Sequence, residues 1–411
     1  MEKAKATDHH QPAHALQGVG RLTVDAVHGI TDLVEALHLA INHLAAVRGA
    51  PDRTHTRGIT GLVYRQIRAV TSLVGWGVDP LLAQLARALD QQAPYASQRD
   101  TLTAVLNGVI GDHLAAQNNP LAIPMQLRRD GQAVSGESLA QALSNEQPRL
   151  LILIHGLCMN DLKWRRGDHD HGAALARDLG FTPVYLRYNT GRHVSENGRA
   201  LATLLDATVT ELEARLKKPV PCYVLAHSMG GLVSRSACFY GAATGHAWPH
   251  RLRALVCLGT PHQGSMWEKT GNLVDTLLDG HPYSAPFSRL GKIRSCGITD
   301  LRFGNVVDAD WQNRDRFAMA ANPRTPTPLP EGTACFALAG SQTTTQEGPV
   351  TDWLGDGLVS VDSALGRHNN PALALAFPED RQWVARGVNH LALHDKPGVY
   401  DVIHGWLRSV G

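Results

Sequence analysis

One serine stands where a short apolar run meets a helical pattern: residues 222–231 read Cys-Tyr-Val-Leu-Ala-His-Ser-Met-Gly-Gly. An apolar strand entering Ala226-His227-Ser228-Met229-Gly230, with a helix behind it, is the arrangement that lifts a serine hydroxyl on a strained turn. Small residues two positions either side of Ser228 let strand and helix approach without collision. A serine held so, near a helix N-terminus, suits nucleophilic attack on a carbonyl carbon. The attack needs amide donors for the oxyanion that develops. One is expected from Met229, directly after the serine. The other is expected after the apolar run Leu150–Ile154, where Gly156 of His155-Gly156 lets the chain turn and the Leu157 amide can face a substrate. Cys158 is the alternative donor, and His155 is expected to be a structural hydrogen-bonder.

A serine nucleophile also needs a base and an acid to orient it. Asp356, between Gly355 and Gly357, is the best acid by its loop position, with Asp352 and Asp362 as rivals. The base is expected at His390, in Gly387-Val388-Asn389-His390, because it lies closest to the end of the last strand pattern; His394 is the rival. The order Ser228, Asp356, His390 differs from the orders His-Asp-Ser and Asp-His-Ser of other serine enzymes. His227, Cys158 and His262 are read as pocket-bordering, substrate-binding residues, although a loop-positioning role for His262 is the better expectation. Asp168-His169-Asp170-His171 invites a metal reading, but its spacing is not that of a catalytic zinc site. It reads better as the first turn of a helix, and no metal is expected.

These residues must be held by a scaffold. Strand patterns at Leu150–Ile154, Pro183–Tyr188, Cys222–Ala226, Ala254–Leu258, Ala334–Leu338 and Gln382–Val388 alternate with helical patterns near 171–180, 197–217, 229–242 and 396–408. Such alternation predicts an α/β fold, a mostly parallel sheet covered by helices on both faces. Asp130-Gly131 predicts a hairpin turn within 124–134. Residues 1–116 show helical periodicity and are expected to form an N-terminal helical module, with residues 117–411 as the catalytic domain. The long irregular stretch at about 262–332 is expected to be a cap inserted over the sheet.

The 411 residues carry 39 Lys+Arg against 37 Asp+Glu, a net charge of +2, which is no nucleic-acid-binding balance. Six scattered cysteines form no C-x-x-C pair, and no basic-then-apolar leader opens the chain. A cytoplasmic location is expected. Residues 53–78 hold Arg53, Arg57, Arg65 and Arg68 among apolar residues, with no acid after Asp52. They can be read as a peripheral membrane contact, though a helix packed on the catalytic domain is the plainer expectation.

The motifs together resemble the α/β-hydrolase family, more narrowly bacterial lipases and carboxylesterases with an Ala-His-Ser-Met-Gly-Gly turn, and the PGAP1-like group. The resemblance rests on His155-Gly156-Leu157, Ala226 to Gly231, Leu258 to Ser265, Gly355 to Ser360 and Asn389-His390-Leu391, and covers about residues 148–411. It implies an α/β-hydrolase fold and ester hydrolysis through an acyl-enzyme without a cofactor. Short to medium acyl esters are the expected substrates, with polymeric esters as an extension. A lipase or lipid deacylase at a membrane, a thioesterase and an acyltransferase are the alternatives of the same chemistry.

Overall fold

The computed structural model describes residues 96–144, 147–265, 295–314, 324–344 and 355–410. The expected helices before residue 96, the membrane reading of 53–78, Asp352 and most of the expected cap at 266–294 and 315–323 lie outside the described residues. From Ser97 onward the described residues belong to one compact unit.

That unit is built on eight strands in the order β2-β1-β4-β3-β5-β6-β7-β8. A hairpin opens it: β1 (Gln126–Arg129) and β2 (Gln132–Ala133) are antiparallel, joined by Asp130-Gly131. Both turn residues have positive φ, 51° and 73°, as a two-residue turn matched to strand twist requires. β1 is also antiparallel to β4 (Thr182–Arg187). The remaining strands run parallel: β3 (Leu150–Ile154), β4, β5 (Cys222–His227), β6 (Leu252–Leu258), β7 (Ala334–Ser341) and β8 (Gln382–Arg386). Every residue of β3 and β5 is buried. A central parallel strand has helices on both faces, so it is apolar without alternation.

Helices connect and cover the strands. α1 (Ala96–Ala116) precedes the hairpin and α2 (Gly136–Ala142) follows it. α3 (His171–Leu179), α4 (Val194–Leu216) and α5 (Met229–Ala243) form the crossovers around β4 and β5. α6 (Cys296–Phe303) lies in the expected cap, α7 (Val361–Ala364) follows β7, and α8 (Pro397–Val410) closes the described chain. α8 buries Val399, Ile403 and Leu407, a stripe of four-residue spacing, against the apolar core that includes Phe336 and Leu338.

β4 lies on one side of β3, and the next strand, β5, returns to the other side. The two crossovers part at the carboxyl ends of β3 and β5, which is where open α/β sheets form ligand crevices. The residues of chemical interest, Gly156 and Ser228, stand at those ends.

α1 was expected to be part of a separate helical module, but it is seated in the catalytic unit. Asn107 donates to the Leu121 carbonyl at 2.7 Å, Asn189 donates to the Gly111 carbonyl at 2.8 Å, and Ser295 donates to the Gly108 carbonyl at 2.7 Å. Gly108 faces Cys158 so closely that a β-carbon would overlap the Sγ atom. The described part of the cap region is likewise anchored: Asp300 accepts from the Val194 amide at 2.8 Å and lies 3.0 Å from His193 Nδ1.

Candidate active site

Ser228 has φ 54° and ψ −123°, a backbone state that costs a non-glycine residue about 1–3 kcal/mol. The surrounding hydrogen bonds hold it there. Its amide donates to the Leu258 carbonyl at 2.8 Å, and its own carbonyl accepts from Gly231 at 3.0 Å. The serine precedes α5 directly, and its side chain accepts no capping hydrogen bond from the helix amides. Neighbouring glycines make the turn possible. A β-carbon on Gly230 would overlap the Ile154 carbonyl, and one on Gly156 would stand 2.9 Å from Ser228 Cβ and 3.4 Å from Oγ. The loop after β3 therefore lies directly against the serine hydroxyl.

The two expected oxyanion donors on that loop differ in their partners. Cys158 adopts φ 59°, and its amide donates to Thr190 Oγ1 at 3.2 Å. The Cys158 amide is thus engaged, whereas the Leu157 amide makes no hydrogen bond among the described residues. The Met229 amide belongs to the first turn of α5, where helix amides lack intrahelical acceptors.

Asp356 and His390 meet on loops after β7 and β8. His390 Nδ1 lies 2.6 Å from Asp356 Oδ2, with both side chains buried. The other carboxylate oxygen, Oδ1, accepts from the amides of Leu358 at 2.9 Å and Val359 at 2.8 Å. Gly355 (φ 53°) and Gly357 (φ 96°) let the loop fold around the carboxylate in this way. His227, the residue before the serine, ties down the His390 backbone: its Nε2 lies 3.1 Å from the His390 carbonyl, and the two rings are 4.6 Å apart. Gly259 was not anticipated. A β-carbon there would stand 3.1 Å from both Asp356 Oδ2 and His390 Nδ1, while the preceding residue, Leu258, accepts from the Ser228 amide.

Two of the rivals are among the described residues. Asp362 is exposed and paired with Arg367 at 3.1 Å. His394 is buried with both ring nitrogens unpartnered, packed on Trp164 and His227 at ring distances of 4.7 and 4.1 Å. Burial holds its pKa well below the ordinary histidine value, as the neighbouring His171 and His390 also do.

The residues read as pocket-bordering are more enclosed than the sequence suggests. His227 is fully buried, with a pKa held well down by burial and by His394 and His390; it supports the His390 loop. His262 is 1% exposed, lines a different cavity and uses its carbonyl to accept from Arg324 at 2.8 Å. The Cys158 thiol is pushed up to about 12 by burial. A polar residue in a turn motif looks surface-directed in sequence, yet here the turns fold inward onto the sheet edge. His155 has the expected structural place: Nδ1 lies 2.9 Å from the Gly156 carbonyl, its ring stacks on Tyr188 at 4.5 Å, and burial lowers its pKa to about 4. The Asp168–His171 stretch is a helix start. Asp170 caps α3 by accepting from the Ala173 amide at 2.9 Å, and no metal-binding group of three or more ligands occurs among the described residues.

An eight-stranded, mostly parallel sheet with a strained serine at the end of β5 has the α/β-hydrolase fold. Residues 147–347 match the PGAP1-like alpha/beta domain. Among solved structures it is similar to a Bacillus licheniformis lipase in propeptide form, at 18% identity over 63% of this chain and 50% of that one, with a TM-score of 0.36. It is also similar to phospholipase PlaB from Legionella pneumophila, at 19% identity over 53% and 44%, TM-score 0.33. A metagenomic carboxyl esterase aligns at 16% identity over 65% and 76%, TM-score 0.36. The chain spans about half the length of the first two of these proteins. No curated protein matches it. Among the described residues, no helix is long and apolar enough to cross a membrane.

Proposed function

We propose that the protein is a serine carboxylic-ester hydrolase with Ser228 as nucleophile, His390 as base and Asp356 as the acid that orients it. The observation carrying this reading is the strained Ser228 turn pressed by Gly156, with the buried Asp356–His390 pair reached through His227 and Gly259. Ser228 Oγ adds to the ester carbonyl carbon as its proton passes to His390 Nε2. The carbonyl oxygen becomes an oxyanion held by the amides of Leu157 and Met229; removing such a donor typically costs about 3 kcal/mol of transition-state stabilisation. Asp356 holds the Nδ1–H tautomer and stabilises the imidazolium. Collapse expels the alcohol, which takes the proton from His390. Water then gives its proton to His390, adds to the acyl-enzyme and releases the carboxylic acid and Ser228.

Short to medium acyl esters are the proposed substrates, with water-insoluble polyesters as an extension of the same reaction. The test is hydrolysis of p-nitrophenyl esters from acetyl to palmitoyl. An optimum at short or medium chains supports this assignment. An optimum at the longest chains favours a lipase, and rapid transfer to added thiol or alcohol with little hydrolysis favours an acyltransferase.

A further inference from the structure

We propose that a cavity built between α5, the end of α6 and residues 324–328 and 372–375 is a binding site for a small monocarboxylate. Its volume is about 180 Å³, and none of Ser228, Asp356 or His390 lines it. Arg235, on α5, reaches it from the core and is only 5% exposed. Its Nη2 donates to the Thr327 carbonyl at 2.6 Å, Nη1 lies 3.4 Å from His262 Nδ1, and Nε is buried without a partner. A buried guanidinium without a carboxylate is costly.

A second guanidinium lines the same cavity. Arg324 donates to the carbonyls of His262 at 2.8 Å and Gly304 at 3.3 Å, and to the Gln263 side chain. None of these acceptors carries a charge. Among the described residues, Asp310 is the only acidic side chain of the lining, and its carboxylate is taken by backbone amides: Val306 at 2.8 Å, Val307 at 3.0 Å and Thr325 at 2.7 Å. His262 stays neutral, because burial and the two nearby guanidinium groups hold its pKa well below the usual range. Its Nε2 is also buried and unpartnered.

Two arginines against one aspartate leave a single positive charge, which a monoanion balances and a phosphate dianion overshoots. Guanidinium groups suit the two equivalent oxygens of a carboxylate. The rest of the lining includes Leu373, Leu375, Pro326 and Val306, apolar surface that fits a short hydrocarbon tail. The cavity therefore selects a short aliphatic acid by its charge and its tail together.

The test is calorimetric titration of the full chain, as wild type and as Ser228→Ala, with sodium butyrate and with inorganic phosphate at constant chloride. One butyrate per chain should bind both proteins alike, with phosphate weaker. In Arg324→Leu, butyrate should bind about tenfold or more weakly, as loss of a charge-assisted hydrogen bond implies. Arg235→Met should do the same where circular dichroism shows it folded; Arg324→Leu carries the test where it does not. Binding lost in Ser228→Ala would place butyrate in the acyl site and overturn the proposal. So would phosphate binding more tightly than butyrate, unchanged affinity in folded Arg324→Leu, or no butyrate binding at all.

Discussion

His390 and Asp356 are joined twice. The imidazole Nδ1 lies 2.6 Å from the carboxylate Oδ2, and the His390 amide donates to the Asp356 carbonyl at 3.0 Å. The backbone link fixes where the ring sits, and the side-chain link fixes which ring nitrogen carries the proton. The second function can therefore be removed while the first is kept.

Asp356→Asn does this. Asparagine can still accept from Leu358 and Val359 through its carbonyl oxygen, but it presents the wrong partner to Nδ1. We expect kcat to fall by about 10⁴-fold with the melting temperature little changed. Steady-state kinetics and a thermal melt check it, and a rate within a few-fold of wild type would remove Asp356 from the mechanism.

Gly259 tests the packing of the pair. It has φ 55°, and a β-carbon would stand 2.8 Å from Leu393 Cδ1 as well as 3.1 Å from the carboxylate and the imidazole. Gly259→Ala should destabilise the protein by about 1–3 kcal/mol and reduce kcat more than it raises KM. Denaturant midpoints and kinetics measured together give the answer; full activity would mean that the loops relax freely.

α1 should influence catalysis without touching substrate. Gly108 is pressed on Cys158, next to the Leu157 amide, so Gly108→Ala must push that loop. A drop in kcat of about ten- to a hundredfold, with KM nearly constant, is expected, a fraction of what loss of a whole oxyanion donor costs. Unchanged kcat in a folded variant would separate α1 from the oxyanion loop.

Stability should fall with acid. Burial holds His155 and His171 down to about 4. Burial likewise depresses His227, His262 and His394. The unfolded chain takes up these protons near an ordinary histidine value of about 6.5, while the folded chain resists until about 4 for the first two. Their stabilisation is full above about pH 6.5 and is lost as the pH falls toward 4, on the order of 3 kcal/mol for each. Urea midpoints should fall steeply between pH 7 and pH 5; a flat profile would mean that these histidines are protonated or exposed in the folded protein.

What the sequence makes legible follows from local chemistry. The central strands β3 and β5 appear in it because buried parallel strands are apolar throughout, and Asp130-Gly131 marks the hairpin because both residues tolerate positive φ. Strand ends shift by up to three residues: β7 runs on to Ser341, and the last strand stops at Arg386, since Gly387 turns with φ 68°. Ser228 is legible because its small neighbours are local in sequence. Gly259 is not, because its role depends on loops after β7 and β8 that only the fold brings to it. Arg235 and Arg324 stay hidden for the same reason. A buried arginine in a helix pattern looks like any surface arginine until its burial is known. His262, for which loop positioning is the better expectation, folds inward and holds Arg324 through its carbonyl.

The most direct test of the central claim is reaction of the full chain with a fluorophosphonate, followed by peptide mass spectrometry. One covalent adduct per chain is expected on the peptide containing Ser228, absent in Ser228→Ala and formed far more slowly in His390→Ala. Labelling at another serine, or labelling that persists in Ser228→Ala, would contradict the claim.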